Sequence, residues 1–163
     1  MVKISDRMLQ VEESPTLGTS NKVKELKMQG MDIISLTVGE PDFETPQHIR
    51  DAAVKAIQEN KVNHYVATAG IMPLRQAIIS YHQEHDGITY DTNEVIVTTG
   101  AKDALYGLFQ TILNPGDEVL IPSPYWVSYT EQVKLAGGVN VIVDSSPEFE
   151  FKVSVADLEA KRT

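Results

Sequence analysis

The sequence predicts an α/β fold: a mainly parallel sheet with helices on its flanks. One reason is the order of elements from residue 95 onward, where short β-branched runs alternate with amphipathic stretches. The second is the run Val95–Thr99, which is β-branched throughout and does not alternate with polar residues, as is typical of a strand covered on both faces. The order strand–helix–strand–helix–strand–helix implies parallel strands joined by right-handed crossovers.

The first third of the chain predicts two helices and one short strand. Residues 1–15 indicate an irregular arm, and residues 16–27 a helix that Gly30 stops. Residues 33–36 predict a strand, and residues 38–42 a loop rich in Gly and Pro. The next helix is predicted to have Thr45 as its cap and Pro46 in its first turn.

The remaining elements are predicted from periodicity and turn residues. A loop over residues 60–70 precedes a helix that begins near Pro73 and ends at Gly87. After the strand at 95–99 we predict helix 101–112, with Leu105, Leu108 and Ile112 on its buried face. Strand 118–121, helix 125–136 and strand 139–143 follow, and Ser154 with Asp157 predicts a capping box for a last helix.

Composition excludes several functional classes. The net charge is −9, with 14 basic against 23 acidic residues, so no nucleic acid is expected as a partner. The chain has no cysteine, which excludes a disulfide scaffold, a thiolate zinc site and a cysteine nucleophile. No apolar run reaches the roughly 20 residues that cross a bilayer. We expect a cytoplasmic protein without membrane contact.

The junction Thr99-Gly100-Ala101-Lys102 is a candidate anion site. A buried strand runs into a helix through a glycine, which directs the amides of the first helical turn toward the carboxyl end of the strand. Those amides and the helix dipole favour a phosphate, and ligands of open α/β sheets bind at that edge. The alternative is a tight turn in which glycine only permits close packing.

The only tryptophan, Trp126, follows the next predicted strand and so belongs to the same edge of the sheet. Its indole is suited to stacking on a flat heteroaromatic ring. The alternative is a tryptophan of the core or of an interface. A phosphate grip and a stacking face at neighbouring strand ends would together form a cofactor site.

Two other sets of residues are weaker candidates. His82 and His85, with Glu84 and Asp86, have a helical spacing that could hold a metal ion. A solvated helix end is the preferred interpretation, because no further convergent ligand is evident, and no metal is expected. Ser123 lacks a histidine and an acid in a recognisable nucleophile arrangement.

Several segments resemble fold-type I pyridoxal-phosphate-dependent aminotransferases of class I/II. They are Thr37-Val38-Gly39-Glu40-Pro41-Asp42-Phe43, Tyr65-Val66-Ala67-Thr68-Ala69-Gly70, Thr99-Gly100-Ala101-Lys102, Asn114-Pro115-Gly116-Asp117-Glu118-Val119 and Ser123-Pro124-Tyr125-Trp126-Val127-Ser128-Tyr129. Their order and spacing match the family too, with the greatest likeness to bacterial aspartate aminotransferases. The resemblance runs from about Ser14 to the last residue. It implies a partial, truncated large domain of the pyridoxal-phosphate transferase type I fold.

The resemblance also implies roles for individual residues. The backbone of Gly100, Ala101 and Lys102 is expected to hold the phosphate of pyridoxal 5'-phosphate, and Trp126 to stack on its pyridine ring. Tyr65 is expected to reach the phosphate in the neighbouring subunit of a homodimer with a shared active site.

Gly39 is expected to lie near the substrate α-carboxylate. By the same resemblance, residues 1–45 form an arm, a helix and a substrate loop. Residues 46–163 form the first part of the cofactor-binding large domain, which is incomplete.

The implied function of the parent protein is transfer of an amino group between an amino acid, with aspartate favoured, and a 2-oxo acid. In the family the Schiff-base lysine, the acid beside the pyridinium nitrogen and the carboxylate-binding arginine come later in the chain. We therefore expect this amino-terminal fragment to contain no catalytic residue and to be inactive. Alternatives are a fold-type I lyase or aminocyclopropane-carboxylate synthase-like enzyme, and a non-catalytic module that binds a phosphate ligand or a protein.

In the family, strands from later in the chain separate the strand at 95–99 from those at 118–121 and 139–143. Without those strands several edges lack neighbours, which favours aggregation or swapping. We therefore predict either a rearranged, oligomeric or partner-completed sheet, or a proteolysed product that is still folded with its missing half.

Overall fold

A computed structural model describes residues 3–61 and 63–163 of the chain. It contains two compact units. The first comprises the described residues up to Val38 together with Gly100–Thr163, and the second comprises Gly39–Thr99. Each is described separately below. The predicted division at residue 45 into an arm and a large domain stays a prediction.

The first unit contains one helix from the start of the chain, three helices from its second half and both strands of the sheet. Its elements are α1 (Pro15–Met28), α4 (Ala101–Ile112), β1 (Glu118–Pro122), α5 (Ser128–Leu135), β2 (Val139–Val143) and α6 (Val155–Lys161), with short 3-10 turns at Asp6–Gln10 and Pro147–Phe149. The second unit contains α2 (Gln47–Gln58), α3 (Met72–His85) and a 3-10 turn at Thr92–Glu94.

The core of the first unit is the contact between the sheet and α5. Strands β1 and β2 pair in parallel, from Glu118 opposite Val139 to Pro122 opposite Val143. Ile121, Val133 and Val143 are almost fully buried there. Gly138 lies against this core, since a Cβ at this position would be 3.0 Å from Cγ1 of Val133 and would require a small shift of its neighbours.

The amino-terminal arm is attached to α5 by polar contacts. The main-chain amide of Glu12 donates to Oε2 of Glu131 at 3.0 Å, and Nζ of Lys134 donates to the carbonyl of Gln10 at 3.4 Å. Lys134 also pairs with Oε1 of Glu131 at 2.9 Å. Burial opposes ionisation of Glu131, but the bonds from Lys134 and Glu12 outweigh it and hold the pKa of Glu131 below its usual value. The bond to Glu131 raises the pKa of Lys134.

In the second unit, contacts around residues 95–97 join this segment to α3 and to the loop that precedes α3. Nε of Arg75 on α3 donates to the carbonyl of Val95 at 3.0 Å. The amide of Val97 donates to the carbonyl of Ala69 at 3.0 Å. Next to it, Gly70 has a φ of +98°, and a Cβ there would lie only 2.7 Å from Cγ2 of Val97. The backbone of this loop can approach Val97 only because residue 70 is a glycine.

The α/β class and the parallel sheet are confirmed, and most helices lie close to their predicted positions. The capping box of Ser154 and Asp157 is confirmed at α6. The helix predicted at 125–136 begins later, at Ser128. Thr45 as the cap of α2 is wrong, because Pro46 is the N-cap and no side chain caps that helix.

The predicted strands at 33–36 and 95–99 are wrong. Strands require a neighbouring strand to bond with, and the sheet in the described part of the chain consists of β1 and β2 alone. Ile34 and Leu36 are more than nine-tenths exposed, so these two side chains are not packed against an apolar surface. Across the described ranges, no helix is long and apolar enough to cross a membrane.

Candidate cofactor site

The first turn of α4 begins at a glycine whose backbone no other residue adopts easily. Gly100 is the N-cap, with φ +82° and ψ 172°. A Cβ there would meet nothing within 4 Å, so the conformation and not the available space requires glycine. The first turn carries both the Lys102 ammonium and the Asp103 carboxylate, so its side chains add no net charge to the helix dipole.

Trp126 lies in the loop between β1 and α5, and both ends of this loop are fixed. The amide of Ser123 donates to the carbonyl of Val143 at the end of β2, at 2.9 Å. The hydroxyl of Ser145 donates to the carbonyl of Ser123. After the cis bond between Ser123 and Pro124, the carbonyl of Trp126 accepts from the amide of Tyr129 in α5 at 3.0 Å. Trp126 is therefore attached to the first turn of α5.

The structure brings three of the predicted residues to one cavity. Ala101, Lys102 and Trp126 line a space of about 260 Å³ at the start of α4. About half of the Trp126 surface is exposed, so its indole is accessible to a ligand. Gly100 directly precedes the lining residues. Two sequence features predicted separately thus lie at one cavity.

The cavity is also lined by polar residues for which no role was predicted from the sequence, namely Ser128, Tyr129 and Gln132. Gln132 on α5 lines it, is nine-tenths buried, and donates from Nε2 to the carbonyl of Lys102 at 2.7 Å. A glutamine in a helix normally indicates a solvated face, so nothing in the local sequence pattern marked it.

A larger cavity of about 470 Å³ lies elsewhere in the first unit. It is lined by residues at the amino end of β1, including Asp117 and Glu118, and by Arg162 and Thr163. Ligands of open α/β sheets bind beyond the carboxyl ends of the strands. The smaller cavity at Trp126 therefore has the better position for a ligand site.

Gly39 and Tyr65 belong to the second unit. Gly39 is exposed, and a Cβ added to it would meet nothing within 4 Å. The Tyr65 side chain is fully exposed. Neither residue has a packing role within its own unit, so their predicted roles stay predictions.

The histidines of α3 have partners in the same helix or at the residue that follows it. Nδ1 of His82 lies 2.5 Å from Oδ2 of Asp86, and the ring of His85 stacks on Tyr81 with centroids 4.0 Å apart. Among residues 3–61 and 63–163, no group of three or more His, Cys, Asp or Glu side chains could hold a metal ion.

Comparison with known proteins assigns the family. Residues 31–163 match the family model described as aminotransferase class I and II. The chain is 45% identical over 163 residues to an asparagine–oxo-acid transaminase of Streptococcus mutans, and 49% identical over 158 residues to an aspartate aminotransferase of Geobacillus stearothermophilus. These matches cover 100% and 97% of this chain, but 42% and 40% of the relatives.

Solved structures show the same relationship. The aspartate aminotransferase of Thermus thermophilus with maleate matches with a TM-score of 0.95 and 43% identity, over 100% of this chain and 42% of that one. The chain thus spans about two fifths of the length of the relatives that it matches. With a family model over most of its length and this backbone similarity, the chain belongs to the aminotransferase class I and II family.

Proposed function

We propose that this chain is the amino-terminal part of an aminotransferase that uses pyridoxal 5'-phosphate, and that it supplies one wall of the cofactor site. The observation that carries the proposal is the shared cavity at the start of α4. The first helical turn and the only tryptophan of the chain line it together. Its volume of about 260 Å³ is just below the range of complete ligand pockets, roughly 300–1,000 Å³, which fits a site that other residues complete.

The phosphate is assigned to the start of α4. The backbone of Gly100, Ala101 and Lys102 provides amides at the positive end of a helix of 12 residues. A dianion is favoured there by the helix dipole and by direct N–H donation. The Lys102 ammonium is close enough along the chain to offset the negative charge of Asp103.

The ring of the cofactor is assigned to Trp126. Its half-exposed indole forms part of the cavity wall, and a flat aromatic surface stabilises a pyridine ring by offset stacking. When bound, pyridoxal phosphate supplies an electron sink for chemistry at the amino acid α-carbon, and the protein supplies orientation and electrostatics. The residues of this chain bind and orient; we assign no proton transfer to them.

Gly39 and Tyr65 are assigned to the completed enzyme. We propose that the substrate α-carboxylate approaches the backbone at Gly39, where the absence of a side chain leaves room. We propose that Tyr65, fully exposed in this chain, reaches the phosphate held by a second copy. A Tyr65→Phe variant that is a dimer by analytical ultracentrifugation and binds the cofactor with unchanged affinity would contradict this assignment.

We further propose that the reaction transfers an amino group from aspartate to a 2-oxo acid in the cytoplasm. The names of the relatives support the substrate class, since they act on aspartate or asparagine. The absence of cysteine fits a reducing compartment. Recovery of the native protein in a membrane or secreted fraction would contradict this location.

Titration with pyridoxal 5'-phosphate tests the central assignment. Trp126 is the only tryptophan, so its fluorescence reports directly on the proposed stacking face. We expect saturable quenching that inorganic phosphate reverses. A Gly100→Ala variant should weaken binding about ten-fold, because a Cβ at φ +82° costs about 1–2 kcal/mol and shifts the first turn.

Gly116→Ala is the matched control. Gly116 has a similar φ of +94° and no atom within 4 Å of a Cβ, but it lies in the turn before β1. It should lose similar stability and keep the affinity. Equal loss of affinity in both variants, or quenching that phosphate does not reverse, would contradict the proposed phosphate site. Borohydride fixation of the cofactor at a single lysine would contradict the view that this chain only binds and orients.

A further inference from the structure

We propose that Gln132 is a positioning residue that sets the spacing between the first turn of α4 and Trp126. The side-chain amide of Gln132 on α5 donates to the carbonyl of Lys102 at 2.7 Å, and the residue is only 7% exposed. This bond joins α4 to α5 at the end that faces the cavity. The inference rests on the proposed cofactor site and names a further residue that controls its geometry.

The connection to Trp126 runs through the start of α5. The carbonyl of Trp126 accepts from the amide of Tyr129, so the tryptophan backbone moves with that helix. Gln132 lies three residues beyond Tyr129, on the same short helix. Its bond to Lys102 therefore fixes the first turn of α4 relative to the element that carries the indole.

Stability does not account for an amide at this position. The Oε1 atom of Gln132 is buried and has no hydrogen-bond partner among the described residues. An unsatisfied buried acceptor costs at least as much free energy as one neutral hydrogen bond contributes. A methionine would fill the same space without that cost. The amide is instead explained by the geometry that its N–H group imposes on Lys102.

That geometry matters for a ligand with two fixed points. A phosphate held at Ala101 and Lys102 and a ring stacked on Trp126 belong to one small molecule. Its affinity depends on whether the two contacts are correctly spaced before binding, since ordering them afterwards costs free energy. Gln132 pre-organises this spacing through its bond to the carbonyl of Lys102.

The test compares Gln132→Met with Gln110→Met in the whole chain. Gln110 on α4 also bridges the two helices, donating to the carbonyl of Leu135 at 3.3 Å, but it is exposed and lies at the opposite end of α4. We expect Gln132→Met to weaken binding of pyridoxal 5'-phosphate about five-fold, as expected for one buried neutral hydrogen bond. Gln110→Met should leave the affinity unchanged.

Hydrogen exchange provides a readout without any ligand. We expect Gln132→Met to speed exchange at residues 104–106, whose amides close the first turn of α4, while the thermal midpoint stays level with that of Gln110→Met. The amide of Ala104, for example, donates to the carbonyl of Gly100 at 3.2 Å. If Gln132 had only a space-filling role, its replacement by methionine would change neither the exchange rate of these amides nor the affinity for pyridoxal 5'-phosphate.

A Gln132→Glu variant tests the donor directly. Its carboxylate cannot donate to the Lys102 carbonyl, whereas its protonated form can. The affinity of this variant, divided by that of the wild-type chain at the same pH, should rise as the pH is lowered from 8 to about 5.5. Burial raises the pKa of a carboxyl group, so the substituted side chain becomes protonated over this range. Recovery with acid supports the proposal, and a constant ratio contradicts it.

The outcomes separate this proposal from the proposed function. Unchanged exchange and affinity in Gln132→Met, or equal effects of both methionine variants, would overturn the role of Gln132. Faster exchange in Gln132→Met in a chain that does not bind pyridoxal 5'-phosphate would support the positioning role and contradict the cofactor assignment.

Discussion

The two units of this chain differ in how their residues are buried. In the first unit, Ile121, Val133 and Val143 are almost fully enclosed between the sheet and α5. In the second unit, no described residue is fully buried, although α2 has a clear apolar face and α3 is as long as α1. The difference is the sheet, because two paired strands give a helix a surface to cover.

The polar contacts differ in the same way. In the first unit, the hydrogen bond of Glu12 to Glu131 joins residues 119 positions apart in the sequence. In the second unit, described bonds such as those of Val97 with Ala69 and of Val95 with Arg75 span much shorter stretches of chain. The candidate cofactor site lies on the unit that has both a core and long-range contacts, where rigid placement of two side chains is possible.

The largest expected effect that tests this difference in burial comes from truncating one valine in each unit. Val133 is completely buried, so Val133→Ala should destabilise the first unit by about 2–3 kcal/mol through lost burial and an unfilled space. Val54 on α2 is half exposed, and Val54→Ala should cost less than about 0.5 kcal/mol. Urea unfolding followed by circular dichroism and by Trp126 fluorescence measures both. Equal losses would show that the two units do not differ in packing.

The same comparison explains which elements the sequence could predict. Strands β1 and β2 are separated only by α5, so each finds its neighbour within a short stretch of chain, and their predicted positions hold. The β-branched run at 95–99 is as strand-like in composition, but a strand is defined by its neighbour. The apolar face predicted for α4 shows the same dependence: Leu108 and Ile112 are about half exposed. A helical pattern predicts which face is apolar, not what covers it.

Some residues of the candidate site could be predicted from the sequence and others could not. Gly100 and Trp126 were found because a glycine after a β-branched run and a single tryptophan stand out in a sequence, and the cavity joins Ala101, Lys102 and Trp126. Gln132 was missed because its role depends on one bond to a main-chain carbonyl 30 residues away. Such a contact leaves no pattern in the residues around it.

A smaller effect tests the tightest contact of the second unit. A Cβ at Gly70 would lie 2.7 Å from Val97, so Gly70→Ala combines a positive φ with a steric overlap. Gly87 has a φ of +69° but nothing within 4 Å of a Cβ, so Gly87→Ala carries only the conformational cost. We expect Gly70→Ala to lose about 1–2 kcal/mol more than Gly87→Ala, the usual cost of overpacking.

Circular dichroism during urea unfolding measures this difference, and exchange at the Val97 amide locates it. That amide bonds to the carbonyl of Ala69, next to the substituted position, and should exchange faster in Gly70→Ala alone. If the two variants have the same free energy of unfolding and the same exchange rate at Val97, the loop around Gly70 can move away from Val97 at little cost. This contact would then not be tightly packed.

The smallest effect concerns the arm of the first unit and depends on pH. The folded-state pKa of Glu131 is lowered, so its contribution to stability is present above its usual pKa of 4.5 and is lost as the pH falls through the folded value. The raised pKa of Lys134 makes its contribution complete below its usual 10.5 and lost at higher pH. Glu131→Gln should therefore cost about 0.5–1 kcal/mol at pH 7, since the pair is only partly buried.

Below pH 4.5 that cost should decrease, because the wild-type carboxyl becomes neutral as well. Glu159→Gln is the control, since Glu159 forms the same i,i+3 kind of pair with Arg162 but both side chains are mostly exposed. Its cost should be close to zero at every pH. Unfolding midpoints of the three chains at pH 7, 5, 4 and 3 decide the matter. A constant difference between wild type and Glu131→Gln would mean that the negative charge of Glu131 does not help to hold the arm on α5, and that this contact does not distinguish the two units.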